Sequence, residues 1–428
     1  MKRVVIIGGG ISGLSVAYAL RGKAQVTLLE ANALGGVIQT DRTGLYIVEG
    51  GPDSFVTARP AALELCREMG LESELIPMAI RKLYVRSGGV FHEMPPGFFL
   101  TVPTKISSVL KSGLFSWKGK LRMGMEYFLP RGGDEEESIG SFVRRRFGQE
   151  MVDKVADPLM GGIYSGPADQ ISLRATFPQF QKMEREHRSL IRAMRKTKMP
   201  EASPLMSLRG GMATLVERLL KKIDVEIIKS RVLRVEADKR VVHEEGSFEA
   251  DEVVVATPAP AAAGILQNWP DLAEALGEIP FASSITVSLA YDRKAVPHAL
   301  DATGFILPQS EGRRIHACSW SSSKFENRAP EEGALIRCFL RGEPNDPESI
   351  VREELRDLLG VEAEPQLVRT WRWPKANPVY EVSHQKRVSR IEDATPEGVH
   401  ITGAGYRGSG IPHCIQAGRA VAANVLEG

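Results

Sequence analysis

The clearest hydrophobic pattern lies at the start of the chain. Residues 3–7 form a short run rich in β-branched apolar side chains, which is typical of a buried parallel strand. A glycine-rich segment, residues 8–13, follows at once, and residues 14–20 then show helical periodicity. A second apolar run ends at Glu30. This order predicts a compact strand–loop–helix–strand unit.

Turn-rich sequence fills residues 31–59, and a helix is predicted over 61–70 with Gly70 as its stop. A similar alternation of predicted strands and helices returns in the second half of the chain. After residue 205 a loop, a helix and several short strands follow, and residues 281–342 carry further strand-like runs. Residues 399–405 predict a buried strand that enters a glycine-rich loop and a final helix.

An α/β unit at both ends of the chain implies a discontinuous domain. We therefore predict an α/β protein, α+β overall, with a Rossmann-type nucleotide-binding domain, a second domain with a mixed sheet, and a helical subdomain. The predicted bounds are 1–80, 203–270 and 385–428 for the nucleotide domain, 81–94, 160–202 and 271–384 for the second domain, and 95–159 for the helical subdomain.

Composition narrows the class of protein. The 428 residues are enough for two or three domains. The net charge of +2 gives no reason to expect a nucleic-acid partner. Neither the four cysteines nor the histidines have metal-ligand spacing, so we expect no metal and no disulfide scaffold. No apolar run is long enough to span a bilayer, and the first strand begins at residue 3. We expect a cytoplasmic protein.

Charge is less even locally. Residues 95–131 hold six basic side chains and one acid, Glu126, for a local charge of +5, and they also carry several aromatic residues. Residues 181–198 form another basic stretch with helical patterning. An apolar face edged by Lys and Arg suits an anionic bilayer surface, but it also suits a helical subdomain that buries its aromatics.

The glycine-rich segment carries the first chemical signal. Gly8, Gly10 and Gly13 have the GxGxxG spacing between a predicted strand and a predicted helix. Such a loop lets backbone approach a diphosphate at the helix N-terminus. Glu30, 22 residues after Gly8, is placed to accept hydrogen bonds from ribose hydroxyls. The combination predicts an adenine-dinucleotide site.

Further segments favour FAD over NAD as the dinucleotide. Residues 30–37 resemble the second glycine motif of the amine-oxidase-like flavoproteins, although Ala33 replaces the usual Arg. Residues 48–55 resemble the next flavin-contact segment of that group, and Val232 matches the position whose backbone meets the adenine. With the closing glycine loop, the cofactor residues so implied are Gly8, Gly9, Gly10, Ile11, Ser12, Gly13, Glu30, Ala31, Gly35, Gly36, Val37, Gly51, Pro52, Asp53, Ser54, Val232, Trp373, Ser409, Gly410 and Ile411.

The closing segment makes the resemblance more specific. Residues 406–415 are similar to the YxGxGIPDCI signature of the protoporphyrinogen/coproporphyrinogen oxidase family, with His413 in place of its Asp. Residues 161–178, the turn at 208–212 and the segment 373–380 also resemble that family. The resemblance runs from residue 3 to 427.

The resemblance implies a flavin enzyme that removes six electrons from a porphyrinogen, with molecular oxygen as acceptor and hydrogen peroxide as product. No catalytic side chain is assigned. The implied ring contacts are Thr303, Gly304, Ile306 and Phe339. Arg81 is the best match for the propionate-binding arginine, and Lys82 and Arg86 compete with it. Residues 95–131 match the membrane-binding subdomain of the family, which implies peripheral contact with the inner face of the cell membrane.

Several alternatives remain open. Protoporphyrinogen is favoured slightly over coproporphyrinogen III, from which it differs by two vinyls in place of two propionates. An amine oxidase or a carotenoid desaturase has the same general fold, but the GIPxCI loop argues against both. A dissociation inhibitor of prenylated small GTPases is the non-enzymatic alternative. The sequence also leaves open the true electron acceptor and whether the chain forms a homodimer.

Overall fold

The computed structural model describes residues 1–104, 106–133, 135–196 and 204–427, without the side chains of Phe99 and Ile106. Its strands are β1 (Arg3–Ile7), β2 (Gln25–Glu30), β3 (Thr40–Thr43), β4 (Tyr46–Glu49), β5 (Phe55–Val56), β6 (Leu75–Pro77), β7 (Tyr84–Ser87), β8 (Val90–Glu93), β9 (Phe98–Phe99), β10 (Val102–Pro103), β11 (Leu205–Leu208), β12 (Glu226–Lys229), β13 (Val232–Val235), β14 (Val241–His243), β15 (Gly246–Phe248), β16 (Glu252–Val255), β17 (Phe281–Asp292), β18 (Gly304–Ile306), β19 (Ile315–Trp320), β20 (Gly333–Leu340), β21 (Leu367–Pro378) and β22 (Val399–Ile401).

The helices are α1 (Ile11–Leu20), α2 (Ala61–Glu68), α3 (Ile106–Lys111), α4 (Trp117–Gly124), α5 (Ile139–Phe147), α6 (Gln149–Met151), α7 (Asp157–Tyr164), α8 (Leu173–Thr176), α9 (Pro178–His187), α10 (Leu190–Lys196), α11 (Ala213–Leu220), α12 (Ala259–Ile265), α13 (Pro270–Gly277), α14 (Ser321–Lys324), α15 (Pro347–Leu359), α16 (His384–Ala394) and α17 (Ile411–Glu427). Short 3₁₀ turns occupy Glu72–Glu74, Met125–Tyr127, Arg293–Ala295 and Gln309–Glu311, and a π-helical turn occupies Val152–Ala156.

A five-stranded parallel sheet with the order β12-β2-β1-β16-β22 holds the two ends of the chain together. Val4 and Ile6 pack into the core shared with α1, α2, α11 and α17. Val5 and Ile7 pack on the opposite face, in the core shared with α12, α13 and α16. Because both faces are covered, β1 is apolar throughout. The predicted α/β fold is confirmed.

A seven-stranded mixed sheet lies over this unit, with the order β21-β17-β20-β19-β18-β7-β8. Its neighbouring strands are antiparallel except for the parallel pair β7 and β18. One face packs on α15 through Leu289, Ile336 and Leu355. The other face therefore remains available to line a cavity.

The helical part contains a buried ionic cluster. Arg146 on α5 is fully buried and pairs with Glu126 and with Glu184. Two buried carboxylates around one guanidinium bring α5, α9 and the turn at 125–127 together, and Glu126 also accepts a hydrogen bond from Ser189 Oγ at 2.6 Å. The charged side chains of this cluster therefore stabilise the packing of the helical part.

The prediction of one helical stretch over 181–198 is wrong. The first helix of this stretch, α9, ends at His187, and α10 begins at Leu190. Arg188 between them has φ of +63°, where a helix cannot continue. Its side chain donates to the carbonyl oxygens of Phe128 and Leu129 at 2.9 and 3.1 Å. Residues 197–198 lie outside the described part of the chain.

The domain boundaries stay a prediction. Positions 105 and 134 within 95–159, positions 197–203 at the junction of 160–202 and 203–270, and position 428 lie outside the described residues. Within those residues, no helix is both long enough and apolar enough to cross a bilayer.

Candidate functional site

The glycine loop between β1 and α1 forms a cradle without side chains. Gly8 has φ of +106°, a conformation that other residues rarely adopt. A Cβ on Gly13 would lie 2.0 Å from the Gly8 carbonyl oxygen, so only glycine lets α1 approach β1 this closely. A Cβ on Gly10 would meet no protein atom within 4 Å, although Gly10 lines the large cavity of the molecule. This open space at a helix N-terminus suits a diphosphate.

The Gly35–Gly36 turn closes the cradle from the other side. Gly35 N donates to Gly9 O at 2.8 Å, and its φ is +90°. Gly36 has φ of +58°, and a Cβ there would lie 3.5 Å from the Gly10 Cα. The two glycine segments therefore run side by side along the cavity, as their resemblance to flavin motifs implies.

Glu30 lies at the end of β2, beside this cradle. Its carboxylate accepts from Gly9 N at 2.6 Å and from Asn32 N at 2.7 Å. These two bonds fix the carboxylate at the cavity wall, where its remaining lone pairs can accept from ribose hydroxyls.

Most of the other predicted cofactor residues share this cavity. They come from six separated segments of the chain and line the same cavity: Ile11, Ser12, Ala31, Val37, Gly51, Pro52, Asp53, Ser54, Val232, Trp373, Ser409, Gly410 and Ile411. Gly9 and Gly13 do not line it and instead support the loop from behind. A diphosphate cradle, a ribose acceptor and a helix N-terminus at Ile411 together fit FAD.

A buried arginine supports the middle of the cavity. Arg337 donates to Gly51 O at 2.7 Å and to Gly50 O at 3.1 Å. Trp373 Nε1 donates to the same Gly50 oxygen at 2.7 Å, and its ring stacks on Trp371. These contacts hold the 50–51 backbone rigidly at the cavity wall.

A charged pair lies next to this support. Burial alone would raise the pKa of Asp53, but the Lys324 ammonium at 2.6 Å, with smaller contributions from Ser54 and Arg337, lowers that pKa to about 2. Asp53 is therefore ionised at neutral pH. The pair places one positive and one negative charge in the cavity wall, adjacent to the predicted flavin-contact segment.

The predicted ring contacts fall mostly on the seven-stranded sheet. Thr303, Ile306 and Phe339 line the cavity. Gly304 is buried between strands and does not line the cavity, and a Cβ there would lie 1.9 Å from the Cys318 carbonyl oxygen, so its contact with the ring stays a prediction. It is glycine because β18 and β19 approach closely, with φ of +141°.

The three candidate propionate-binding cations differ in their surroundings. Lys82 pairs with Asp301 at 2.5 Å, and Arg86 pairs with Glu311 at 2.6 Å. Of the three, Arg81 is the one that lines the cavity. Its role in binding substrate stays a prediction.

The cavity is large and carries an excess of positive charge. Its volume is about 2770 Å³, which accommodates a dinucleotide and a second ligand together. Among the described residues, three acids line it, namely Glu30, Asp53 and Asp157. Nine basic residues line it, namely Arg59, Arg81, Arg174, Arg231, Lys324, Arg337, Arg341, Arg372 and Arg407. Such a cavity favours anionic ligands.

The C-terminal glycine loop is fixed by Tyr380. Its hydroxyl donates to Ala404 O at 2.5 Å and accepts from Gly408 N at 2.9 Å. His413, which replaces the Asp of the resembled signature, lines the cavity just beyond this loop. Burial, and then the nearby Arg59, lower the pKa of His413 to about 4. The position therefore holds a neutral imidazole where the family signature has an acid.

Sequence reasoning missed Arg337, Arg341 and Lys324. Arg337 in β20 and Arg341, just after its end, flank Phe339 at spacings of two, and all three line the cavity. Because Phe339 was predicted to contact the substrate ring, this alternation could have predicted Arg337 and Arg341 as well. Lys324 has no comparable signal, because its partner Asp53 lies 271 positions away.

A second feature lies on the surface of the helical part. Trp117, Leu121, Met125 and Phe128 are 75%, 72%, 49% and 74% exposed. Their spacing of three or four residues places them on one face of α4 and the turn after it. The only acid among residues 95–131, Glu126, is buried in the pair with Arg146, so it does not offset the basic side chains around the stripe.

Comparisons with known proteins agree with this geometry. A family model described as flavin containing amine oxidoreductase matches residues 11–426. A Bacillus subtilis coproporphyrinogen III oxidase is 34% identical, with 99% of this chain and 98% of that protein covered. A protoporphyrinogen oxidase 2, chloroplastic/mitochondrial, from Arabidopsis thaliana is 26% identical, with 91% and 87% covered. The crystal structure of a provisionally assigned protoporphyrinogen oxidase from Exiguobacterium sp. 255-15 superposes with a TM-score of 0.90 at 28% identity, covering 100% and 99% of the chains.

Proposed function

The chain belongs to the flavin containing amine oxidoreductase family and uses FAD, and from this premise we propose that it oxidises coproporphyrinogen III to coproporphyrin III. That it oxidises a porphyrinogen in haem synthesis is supported by relatives named coproporphyrinogen III oxidase and by one named protoporphyrinogen oxidase. The choice of coproporphyrinogen III reverses the preference derived from sequence.

Two observations support this choice. The more similar of the two relatives is named a coproporphyrinogen III oxidase, at 34% against 26% identity. The cavity also presents nine basic side chains against three acids among the described residues. Coproporphyrinogen III carries four propionates and protoporphyrinogen carries two, so the more acidic substrate gains more from such a wall. The excess of cations, which remains after Arg231 and Arg407 are paired with Glu244 and Glu392 outside the cavity, is the single structural observation that carries the proposal.

When bound, FAD accepts hydride equivalents from the reduced macrocycle. The chain itself holds and orients the two ligands. Phe339 and Ile306 supply apolar surface for the ring, and the glycine loops and Glu30 hold the dinucleotide. Burial lowers the pKa of both His316 and His413 to about 4, so neither carries a charge at neutral pH. No side-chain acid or base is assigned, in agreement with chemistry that resides in the cofactor.

The test is a parallel turnover assay on purified flavin-loaded protein. Coproporphyrinogen III, protoporphyrinogen IX and putrescine would be offered separately, with porphyrin fluorescence, oxygen uptake and peroxide followed in each. We expect kcat/KM for coproporphyrinogen III to exceed that for protoporphyrinogen IX by at least about tenfold, because two more carboxylates can be paired. A preference for protoporphyrinogen IX would reverse the choice of substrate. Oxidation of putrescine alone would point to an amine oxidase, and protein that refuses FAD would point to a binding protein.

We further propose that the stripe formed by Trp117, Leu121, Met125 and Phe128 contacts the surface of an anionic membrane. Exposed apolar side chains at helical spacing can enter the headgroup region, and the surrounding Lys and Arg side chains attract anionic lipid. Lys120 Nζ lies 4.6 Å from the Trp117 ring centre, so cation and aromatic surface are already combined.

Vesicle flotation tests this contact. We expect binding to vesicles containing phosphatidylglycerol, weaker binding to neutral phosphatidylcholine, and loss of most binding in L121E. Leu45 is also 72% exposed but lies in the turn between β3 and β4, so L45E is the matched control. Equal flotation of L121E and L45E would contradict the proposal.

A further inference from the structure

Strand β20 and the residue that follows it present a row of three side chains to the cavity. Arg337 and Phe339 of β20 line it, as does Arg341 just after the strand, while Ile336 and Cys338 pack into the core on the α15 side of the sheet and Leu340 contacts both that core and the cavity. Alternation along a strand explains this division. Arg337 is already engaged by the carbonyl oxygens of Gly50 and Gly51. Arg341 is the cation of the row whose role the contacts within the protein do not explain.

The Arg341 guanidinium is only partly satisfied. Its Nη2 donates to Leu307 O at 2.7 Å. Its Nε is buried without a hydrogen-bond partner, and within the described part of the chain Arg341 forms no ion pair at 4.0 Å or less. Burial lowers the pKa of Arg341, and the more distant Asp157 offsets this in part. A guanidinium that faces a cavity without a counterion is set to bind an anion.

The neighbours of Arg341 do not compete for that anion. His316 lies on the same wall, and its ring centre is 6.0 Å from that of Phe339. Burial, and then Arg341 itself, lower the pKa of His316 to about 4. At neutral pH the neighbouring imidazole is therefore uncharged, and Arg341 is the cation at this end of the wall.

Arg81 and Arg341 lie at opposite ends of β18. Thr303, just before the strand, donates to the carbonyl oxygen of Lys82, the residue after Arg81, at 2.8 Å. Leu307, just after the strand, accepts from Arg341. Four residues of extended chain separate these two points, which is roughly 13 Å. Thr303, Ile306 and Phe339 line the cavity in this region. The wall therefore offers apolar surface in the middle and a cation at each end.

We propose that Arg341 binds a propionate carboxylate of the substrate and makes the site selective for a tetrapyrrole with carboxylates at both ends. This inference rests on the proposed function. Coproporphyrinogen III has one propionate on each of its four pyrroles, so carboxylates reach Arg81 and Arg341 at the same time. Protoporphyrinogen IX has its two propionates on adjacent pyrroles and presents vinyl groups at the other end. Facing Arg341, a vinyl leaves the guanidinium unpaired and desolvated.

The experiment compares R341Q with R314Q in the flavin-loaded protein. Arg314 neighbours Arg341 in the sheet, because Arg341 N donates to Arg314 O at 2.8 Å, but its side chain is exposed and does not line the cavity. Both variants remove one positive charge. The first readout is the ratio of kcat/KM for coproporphyrinogen III to that for protoporphyrinogen IX. The second is the Kd of coproporphyrin III for the flavin-loaded protein, followed by fluorescence without turnover.

We expect R341Q to lower the ratio about tenfold, mainly through KM, and to weaken coproporphyrin III binding by a similar factor. R314Q should keep both within about twofold of wild type. An R341Q protein with an unchanged ratio and an unchanged Kd would overturn the inference. Should R341Q lose flavin or melt early, R341K provides the reading, since it keeps the charge and loses the planar fork, and an intermediate ratio is expected. A wild-type preference for protoporphyrinogen IX would instead defeat the proposed function, while the Kd series still tests Arg341.

Discussion

Gly10 is the residue at which the cofactor and the fold make separate demands. A Cβ there meets no protein atom within 4 Å, so the chain itself tolerates a side chain. We expect G10V to fold with a near-normal melting temperature and to lose FAD, because the valine fills the space needed by the diphosphate. Flavin absorbance per mole of purified protein measures retention.

Gly13 is the matched contrast in the same loop. A Cβ there would lie 2.0 Å from the Gly8 carbonyl oxygen, so G13A should destabilise the protein itself by about 1–3 kcal/mol or more. Stoichiometric flavin in G10V would show that the diphosphate does not lie at Gly10.

His316 gives a pH dependence with a definite sign. Its pKa is about 4 in the folded protein, against about 6.5 for an unperturbed histidine, so the unfolded chain takes up the proton first as pH falls. The stability contributed by this residue is complete above pH 6.5 and is lost as pH falls towards 4. Between pH 7 and pH 5 the loss should be about 2 kcal/mol.

Denaturant unfolding at the two pH values checks this. H316N should show a pH 7 to pH 5 loss that is smaller by that amount, whereas H187N, at a surface position 37% exposed, should behave as wild type. Parallel pH dependence in H316N and wild type would refute the assignment.

At the residue scale, the sequence predicted chemistry where a motif fixed the backbone. The Gly8–Gly13 loop and Glu30 lie where the spacing placed them, because local turn geometry determines them. The structural reason for Gly304 was not predicted, because its small size serves the approach of β19, a strand that no local pattern identifies as its neighbour.

At the element scale, Arg146 holds the helical part together. It is fully buried on α5 between Glu126 and Glu184. Removing the cation leaves the fully buried Glu126 without a counterion, whereas Glu184 keeps its pair with Arg145, so we expect R146M to cost about 3–5 kcal/mol of unfolding free energy. Chemical denaturation followed by circular dichroism measures it.

Arg144, two residues before Arg146 on the same helix, is the control for this prediction. It forms an exposed ion pair with Asp169 at 2.8 Å, and R144M should cost no more than about 1 kcal/mol. Equal losses in R146M and R144M would show that the buried cluster has no special role.

Helix ends show why the boundaries of elements were harder to predict than the existence of the elements. Helical periodicity continues across residues 181–198, yet the helix is interrupted at Arg188. The break is stabilised by bonds to carbonyl oxygens of Phe128 and Leu129, about 60 positions away. A break made by tertiary contacts leaves no local mark in the sequence.

At the scale of the whole molecule, the sequence predicted both a parallel sheet and a mixed sheet, but it did not predict which strands of the mixed sheet pair with each other. Continuous apolar runs identify β1, β2 and β16 as buried on both faces, and a nucleotide loop orders the first two. The seven-stranded sheet pairs β7 with β18, about 220 positions apart. Periodicity marks both as strands, but pairing partners depend on packing that a single sequence does not display.

The joining of the two chain ends leads to the last prediction. Helices α1 and α17 pack closely at Gly418, where a Cβ would lie 2.6 Å from the Ser12 carbonyl oxygen and 3.0 Å from the Ser15 Cβ. Gly418 does not line the cavity, but Ser12 and Ile411 on the same two helices do. A large side chain at 418 must separate the helices and move the two flavin-contact segments apart. We expect G418L to weaken FAD binding at least about tenfold, measured by titrating FAD into apoprotein. Ala423 is on the exposed face of α17, so A423L should bind FAD as wild type does. If G418L also bound FAD normally, then the two ends of the chain would not act together on the cofactor.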